Sequence, residues 1–452
     1  MIIAVVAVLH VIVSHYAVGG GLFLAVETRW AYRRNDTRYL AYLKDHAWFF
    51  ILLTVVYGAI TGVGIWWTIG LASPLATETL IHAFVFGWAM EYVFFLLEIA
   101  SAFAFYYYWG KLEPRVHEAM GWIYGISAWV SLVLITGITA FMLNPGRWPE
   151  TQGFWTGFFN PQFVPQVLAR TGGSFLLASL YVYLHATFRA RDPQLRETIS
   201  FRSSRPALLG AILITLGGIG WYVFLPASAK AALAAASLLN VLMVLLFAIT
   251  AAVFAMLYFG PYRNPSWLSP GFALLFFGFG LAAVAVGEQI REAVRKPYIV
   301  YNVVMSNQIL ADEIPGLRRS GYLQGGTWTR AHVAARHPTA VRGGIIDVEA
   351  LATLAEPQRV ALGATLYQYH CASCHATEAG FSALAHLTRG WTPEMIQRLV
   401  EAPEKSHFFM PPWAGSQAEA RLLTEYLISI APPAPAGMYY GAGAAAADGR
   451  TP

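Results

Sequence analysis

Residues 1–30 read MIIAVVAVLHVIVSHYAVGGGLFLAVETRW. About 20 apolar residues cross the roughly 30 Å of bilayer hydrocarbon, so this run is long enough to span a membrane. It opens on Met1 with no basic segment before it and runs on into Glu27-Thr28-Arg29-Trp30. That length and those flanks read as a true span, not a cleaved signal. Working outward, seven further runs qualify, at about 48–71, 79–109, 120–143, 166–188, 206–226, 231–259 and 270–291. The whole chain agrees: 57% of its 452 residues are hydrophobic and 12% charged, with mean hydropathy +0.49. A soluble domain carries about 25% charged residues, so the pattern excludes a soluble globular protein. It predicts an all-α, polytopic bundle of about eight spans.

The formal charge of +5 matters less than its placement. Loops after spans one, three, five and seven hold Arg29, Arg33, Arg34, Arg38, Lys44, Lys111, Arg115, Arg189, Arg191, Arg196, Arg202, Arg205 and Arg263; the loops after spans two, four and six hold Arg147, Arg170 and Lys230. Lys and Arg collect on the cytoplasmic side, which puts the N-terminus outside. After an even number of spans, the C-terminal domain is outside too. The predicted location is a bacterial inner membrane, with the lipid bilayer and no nucleic acid as surroundings.

Spans and loops together occupy residues 1–295. Residues 296–346 turn polar and are read as an extracytoplasmic connector lying over the bundle. A small all-α domain is predicted over 347–432 and a disordered, Pro/Ala/Gly-rich tail over 433–452. The small domain holds the two cysteines of the chain, in Cys371-Ala372-Ser373-Cys374-His375. C-x-x-C-H reads as covalent c-type haem attachment, in which two thiols add to the porphyrin vinyl groups and the adjacent His375 ligates the iron. A thioredoxin-like pair would need a βαβ setting, and a zinc site would need two more ligands nearby. Met410, in a Pro-rich loop before the last helical pattern, is the candidate sixth ligand, with His407 as its rival. A His/Met pair raises the potential relative to bis-His. The order helix, haem motif, Met loop, helix resembles a class I cytochrome c domain.

Ionisable groups inside spans are costly and mark functional positions. Span one has His10 and His15; span three has His82, Glu91 and Glu98; span eight ends with Glu288, Arg291 and Glu292. Glu91 and Glu98 lie two helical turns apart on one face. Any one of these could instead be a hydrogen-bonded packing residue. His10 with Glu27-Thr28, Phe94-Phe95-Leu96-Leu97-Glu98 with the aromatic run Phe103 to Trp109, Leu143-Asn144-Pro145-Gly146, and Glu292-Ala293-Val294-Arg295-Lys296-Pro297-Tyr298 together resemble subunit I of the cytochrome bd oxidase superfamily. The resemblance implies His10 as axial ligand of one haem of a pair and Glu292 as carboxylate ligand of its neighbour. It also implies Glu98 on the proton route or beside the haems, with Glu91, one residue away from the family's other third-helix carboxylate, as a second proton group, and Arg295 with Lys296 opposite haem propionates.

The departures bear on electron entry. The family's His early in the fifth span is missing from Val167-Leu168-Ala169-Arg170-Thr171-Gly172-Gly173-Ser174, and Met243 is only a loose match to its partner. The quinol loop shrinks to Leu225-Pro226-Ala227-Ser228-Ala229-Lys230, and the c-type domain stands in place of a ninth span. The expectation is a respiratory haem protein with one covalent haem c and two membrane haems of b or d type. It would pass electrons from a periplasmic cytochrome to oxygen, beside a second membrane subunit. The alternative is a relay subunit of a larger quinol–cytochrome complex that does not reduce oxygen.

Overall fold

The structure is a computed structural model that describes residues 2–380 and 382–431; the tail expected over 433–452 lies outside them. It divides into two compact units, one ending at Tyr301 and the other beginning at Asn302.

Among the described residues of the first unit, eight helices are long and apolar enough to cross a membrane: Ile3–Arg34, Thr37–Ala72, Val85–Tyr107, Pro114–Ala140, Phe163–Arg189, Pro193–Val223, Ser237–Tyr262 and Pro270–Ala293. Lipid offers the backbone no hydrogen bonds, which makes helices the natural solution. Several helices begin earlier than hydropathy predicts, because capping sets their starts. Asp36 accepts from Tyr39 N ahead of the second span, and Asp192 from Gln194 N ahead of the sixth. Lys44, Arg196, Arg202 and Arg205, read as loop cations, therefore lie within the second and sixth spans, and Arg170 lies within the fifth. The third expected run is broken. A short helix, Pro74–Ala83, stops at Phe84, which leaves the helical conformation (φ −128°, ψ 31°). Its fully buried ring packs on Phe141 at 4.9 Å between centroids. Similarly, the seventh expected run divides into Ala227–Ala235 and the span proper, with Ala236 between them in an extended conformation.

The core of this unit centres on Tyr16, Tyr39, Leu43, Tyr183, Ile199 and Phe276. Trp67, Leu71, Phe86, Leu238 and Val244 point outward, as on a lipid-facing surface. Helices approach closely where side chains are absent: a Cβ on Gly172 would meet Gly210 O at 2.4 Å, and one on Gly19 would meet Ser174 O at 2.0 Å. These contacts seat the fifth span against the sixth and the first.

The second unit is mostly helical, with a two-residue antiparallel pairing of Val341–Arg342 and Ile345–Ile346 and an antiparallel bridge between Val304 and Leu310. Helices Glu356–His370 and Gln417–Ile430 cross at Gly363, where a Cβ would lie 2.1 Å from Leu422 O. The stretch read as a connector packs into the same core: Leu323, Val333 and Ile346 join Leu362, Leu366, Trp413 and Leu422. Glu419 joins them. Fully buried, it closes a capping box with Ser416 and accepts Tyr322 N at 2.8 Å and Leu323 N at 2.7 Å. Stranding three buried N–H donors costs about 1–3 kcal/mol each. Glu419→Ala is therefore expected to speed amide exchange at Tyr322 and Leu323 by about a hundredfold, with Glu419→Gln intermediate. Exchange unchanged from wild type, read by hydrogen–deuterium exchange mass spectrometry, would contradict this.

Candidate functional site

Helix Glu356–His370 ends at the first cysteine, and the motif folds back on it as a tight turn. Cys374 N and His375 N both donate to Cys371 O, at 3.0 and 2.9 Å. Tyr367 Oη donates to His375 O at 2.6 Å and pins the turn. His375 Nδ1 lies 2.9 Å from Ser382 O. A carbonyl only accepts, so Nδ1 carries the proton and Nε2 keeps its lone pair, the arrangement an iron ligand requires. Burial pushes the Cys371 thiol up to about 12, while Cys374 is exposed. Met410 is half-buried in its loop, whereas His407 is exposed and stacked on Phe409. The loop is held by Trp413, whose O accepts Arg318 Nε at 2.8 Å and whose Nε1 donates to Ser416 O. The turn and the His375 tautomer fit covalent haem.

His370, just before the motif, packs on Trp413 and Tyr322 at 4.4 and 4.5 Å. Burial depresses it to about 4 from the usual 6.5. The unfolded chain then binds a proton below pH 6.5 that the folded unit refuses until about pH 4. Stability of the second unit should therefore fall as pH drops from 6.5 to 4, by up to about 3 kcal/mol, and level off below. In denaturant titrations across that range, His370→Phe should flatten the slope.

In the first unit His10 lies across from the second span. Its Nδ1 is 3.1 Å from Thr61 Oγ1, and that hydroxyl has Tyr57 O and Gly58 O at 2.9 and 3.1 Å as acceptors for its single proton. Thr61 therefore accepts from His10 Nδ1–H, and Nε2 is left with its lone pair. A π-helical turn, Leu52–Tyr57, precedes Thr61; such turns are frequent at functional sites. His15 Nδ1 bonds Val11 O, and the ring lies against Gly173 of the fifth span. His82 is exposed on the short helix before the third span. By contrast, His117 spends both nitrogens, on Tyr32 Oη and Phe105 O, and is a packing residue.

Glu91 accepts from Ser131 Oγ of the fourth span at 3.0 Å. Glu98, two turns along, has its Oε1 fully buried without a hydrogen-bond partner. On the eighth span the charges alternate in pairs. Glu288 binds Arg291, with Nε–Oε2 at 2.9 Å, and Glu292 binds Arg295, with Lys296 Nζ at 3.4 Å. Arg295 and Lys296, expected opposite propionates, thus hold the carboxylate expected on iron. Arg295 Nε is buried without a partner beside it, a donor suited to a further carboxylate such as a propionate. Arg170 lies within electrostatic range of Glu288 and Arg291. Thr61, Ser131 and Arg170 escape sequence reading, since nothing in a span's composition says which hydroxyl faces which acid.

Residues 1–222 match the family model for cytochrome bd terminal oxidase subunit I, and residues 358–427 that for cytochrome C oxidase, cbb3-type, subunit III. The chain joins a cytochrome bd subunit I domain to a cytochrome c domain. His10, Glu91, Glu98 and Ser131 of the bd domain fall within the first match, and Cys371, Cys374, His375 and Met410 within the second. The solved structure described as "The structure of bd oxidase from Geobacillus thermodenitrificans" shares the fold with TM-score 0.55 at 17% identity, over 66% of this chain and 86% of that one. None of the curated proteins compared with the chain matches it. The bd-type chain is accordingly an integral membrane, respiratory haem protein of electron transport.

Proposed function

We propose that the chain is the oxygen-reducing subunit of a cytochrome c-linked, bd-type oxidase, with electrons entering at the C-x-x-C-H domain. The observation that carries this reading is the joining of the two matched domains in one chain. A short link between the sixth and seventh spans supports it: one nine-residue helix, Ala227–Ala235, bridges Val223 and Ser237, where a quinol-binding loop would be long.

Haem bound at these positions supplies one-electron transfer and, where an iron position is open, oxygen binding and reduction. Cys371 and Cys374 would anchor the c-type group, with His375 and Met410 as candidate iron ligands. In the membrane, Nε2 of His10 and the carboxylate of Glu292 would hold iron, and Arg295 with Lys296 would orient propionates. Glu98 and Glu91 would carry protons, with Ser131 bonded to Glu91. The substrate electrons would come from a periplasmic cytochrome or similar carrier, the c-type domain facing the same side as the N-terminus. A second membrane subunit would cover part of the lipid-facing surface.

The test is a carbon monoxide difference spectrum on the dithionite-reduced protein, with a pyridine haemochrome count. The expected result is a CO-binding membrane haem beside one haem c; absence of any CO-sensitive membrane haem would leave the relay reading. Glu98→Gln should lower oxygen consumption by about a hundredfold while the CO spectrum stays. Cys371→Ala with Cys374→Ala should remove the c-type band and abolish oxidation of a reduced cytochrome.

A further inference from the structure

A second group of buried ionisable side chains sits apart from the candidate haem ligands, between the first, second and fifth spans. One end of it is Asp45, gripped by Arg189 through two hydrogen bonds of 2.6 and 2.7 Å on the side rich in arginine. His185 Nε2 lies 3.8 Å from Asp45 Oδ2. The rings of His185 and His46 meet edge to face, 4.8 Å between centroids, and His46 Nε2 lies 3.1 Å from Tyr16 Oη. His46 and Tyr16 are fully buried, and His185 is 7% exposed. Tyr42 stacks on His46 and Phe49 on His185, closing the group off.

Two features distinguish this from ordinary packing. First, Nδ1 of His46 and Nδ1 of His185 are both buried without a hydrogen-bond partner. A packing histidine such as His117 has both nitrogens bonded, and stranding a buried polar atom costs about 1–3 kcal/mol. Second, the row ends one ring short of Tyr124, across Phe50, which carries no exchangeable proton. Phe50 packs on both Tyr16 and Tyr124, at 5.2 and 5.3 Å, and Tyr124 is within electrostatic range of Glu98, whose Oε1 has no partner.

We infer that Asp45, His185, His46 and Tyr16 form a proton relay from the arginine-rich face of the membrane toward Tyr124 and Glu98. Each imidazole takes a proton at one nitrogen and gives one up from the other. One proton enters beside Asp45 and one leaves at Tyr16 Oη, with no net charge left behind. The charged and titratable groups facing the pair are Asp45 of the second span, Arg189 of the fifth, and the hydroxyls of Tyr16 and Tyr42. Arg189 keeps Asp45 oriented toward His185. The inference rests on the reading of Glu98 as a proton carrier.

The test uses the full chain with its partner subunit in liposomes, with a pH-sensitive dye on the Asp45 side. Proton uptake is timed after anaerobic reduction of the membrane haems, and oxygen consumption is measured separately. His46→Phe and His185→Phe keep ring packing and remove the nitrogens. Uptake from the Asp45 side should slow at least tenfold, with the reduced haem spectrum unchanged. His46→Gln and Asp45→Asn settle the matter if a Phe variant loses haem; they should slow uptake several-fold and change its pH profile. Uptake within twofold of wild type in the haem-loaded variants overturns the relay. Oxygen consumption by wild type with uptake insensitive to the variants removes the relay and leaves the oxidase. Uptake lost in the variants of a protein that consumes no oxygen removes the oxidase and leaves the relay.

Discussion

A charge inside hydrocarbon must find a partner or justify its cost through function, and most of the arrangement in the first unit follows from that constraint. The eighth span meets it within one helix, Glu288 with Arg291 and Glu292 with Arg295, three residues apart in each case. The C-terminal end of the first span meets it across helices. Glu27 is bound by Arg202 of the sixth span, which also lies over the Trp30 ring at 3.9 Å, and it accepts the Tyr39 hydroxyl at 2.9 Å. These pairs hold spans one, two and six together where pure apolar contact would leave their rotation loosely specified. Against this background, four of the unpartnered buried atoms belong to ionisable groups that chemistry could use: Glu98 Oε1, Arg295 Nε and the two Nδ1 atoms of His46 and His185. Each is a place where the protein bears a desolvation cost that packing does not explain.

The second unit solves a different problem. A haem-binding loop held by few side chains of its own needs a scaffold, and here residues 302–346 are part of that scaffold. Arg318 fixes Trp413 behind the Met410 loop, Tyr322 packs on His370 beside the cysteines, and Glu419 ties the last helix to Tyr322 and Leu323. The segment is polar because its work is hydrogen bonding to loops, which is why its composition reads as a linker while its backbone is part of the core.

Much of this was legible beforehand. The number of spans follows from hydropathy alone, because the bilayer imposes a minimum apolar length that few soluble segments reach. The haem attachment motif is equally local: two thiols and an imidazole within five residues define their own chemistry. Helix starts are less legible in the sequence. At Thr37 and Pro193 the helices extend past the apolar run because Asp36 and Asp192 cap them in the polar layer. The break at Phe84 was invisible for the opposite reason: a phenylalanine inside an apolar run carries no mark of the ring contacts that pull it out of the helix.

By itself, then, the amino-acid order determined the eight membrane helices, the c-type motif and the inventory of buried acids and histidines, all of them properties of a stretch of chain and its solvent. Tertiary structure decided what each of those groups faces. His10 and His15 lie five residues apart, yet one meets Thr61 on the second span and the other Gly173 on the fifth. His117 is spent on two hydrogen bonds, while His46 and His185, brought together from spans two and five, keep a nitrogen free of any. The physical reason is that a side chain's proton inventory is fixed by its type, but its partners are set by helix rotation and by glycine-lined crossings at residues far away in the chain.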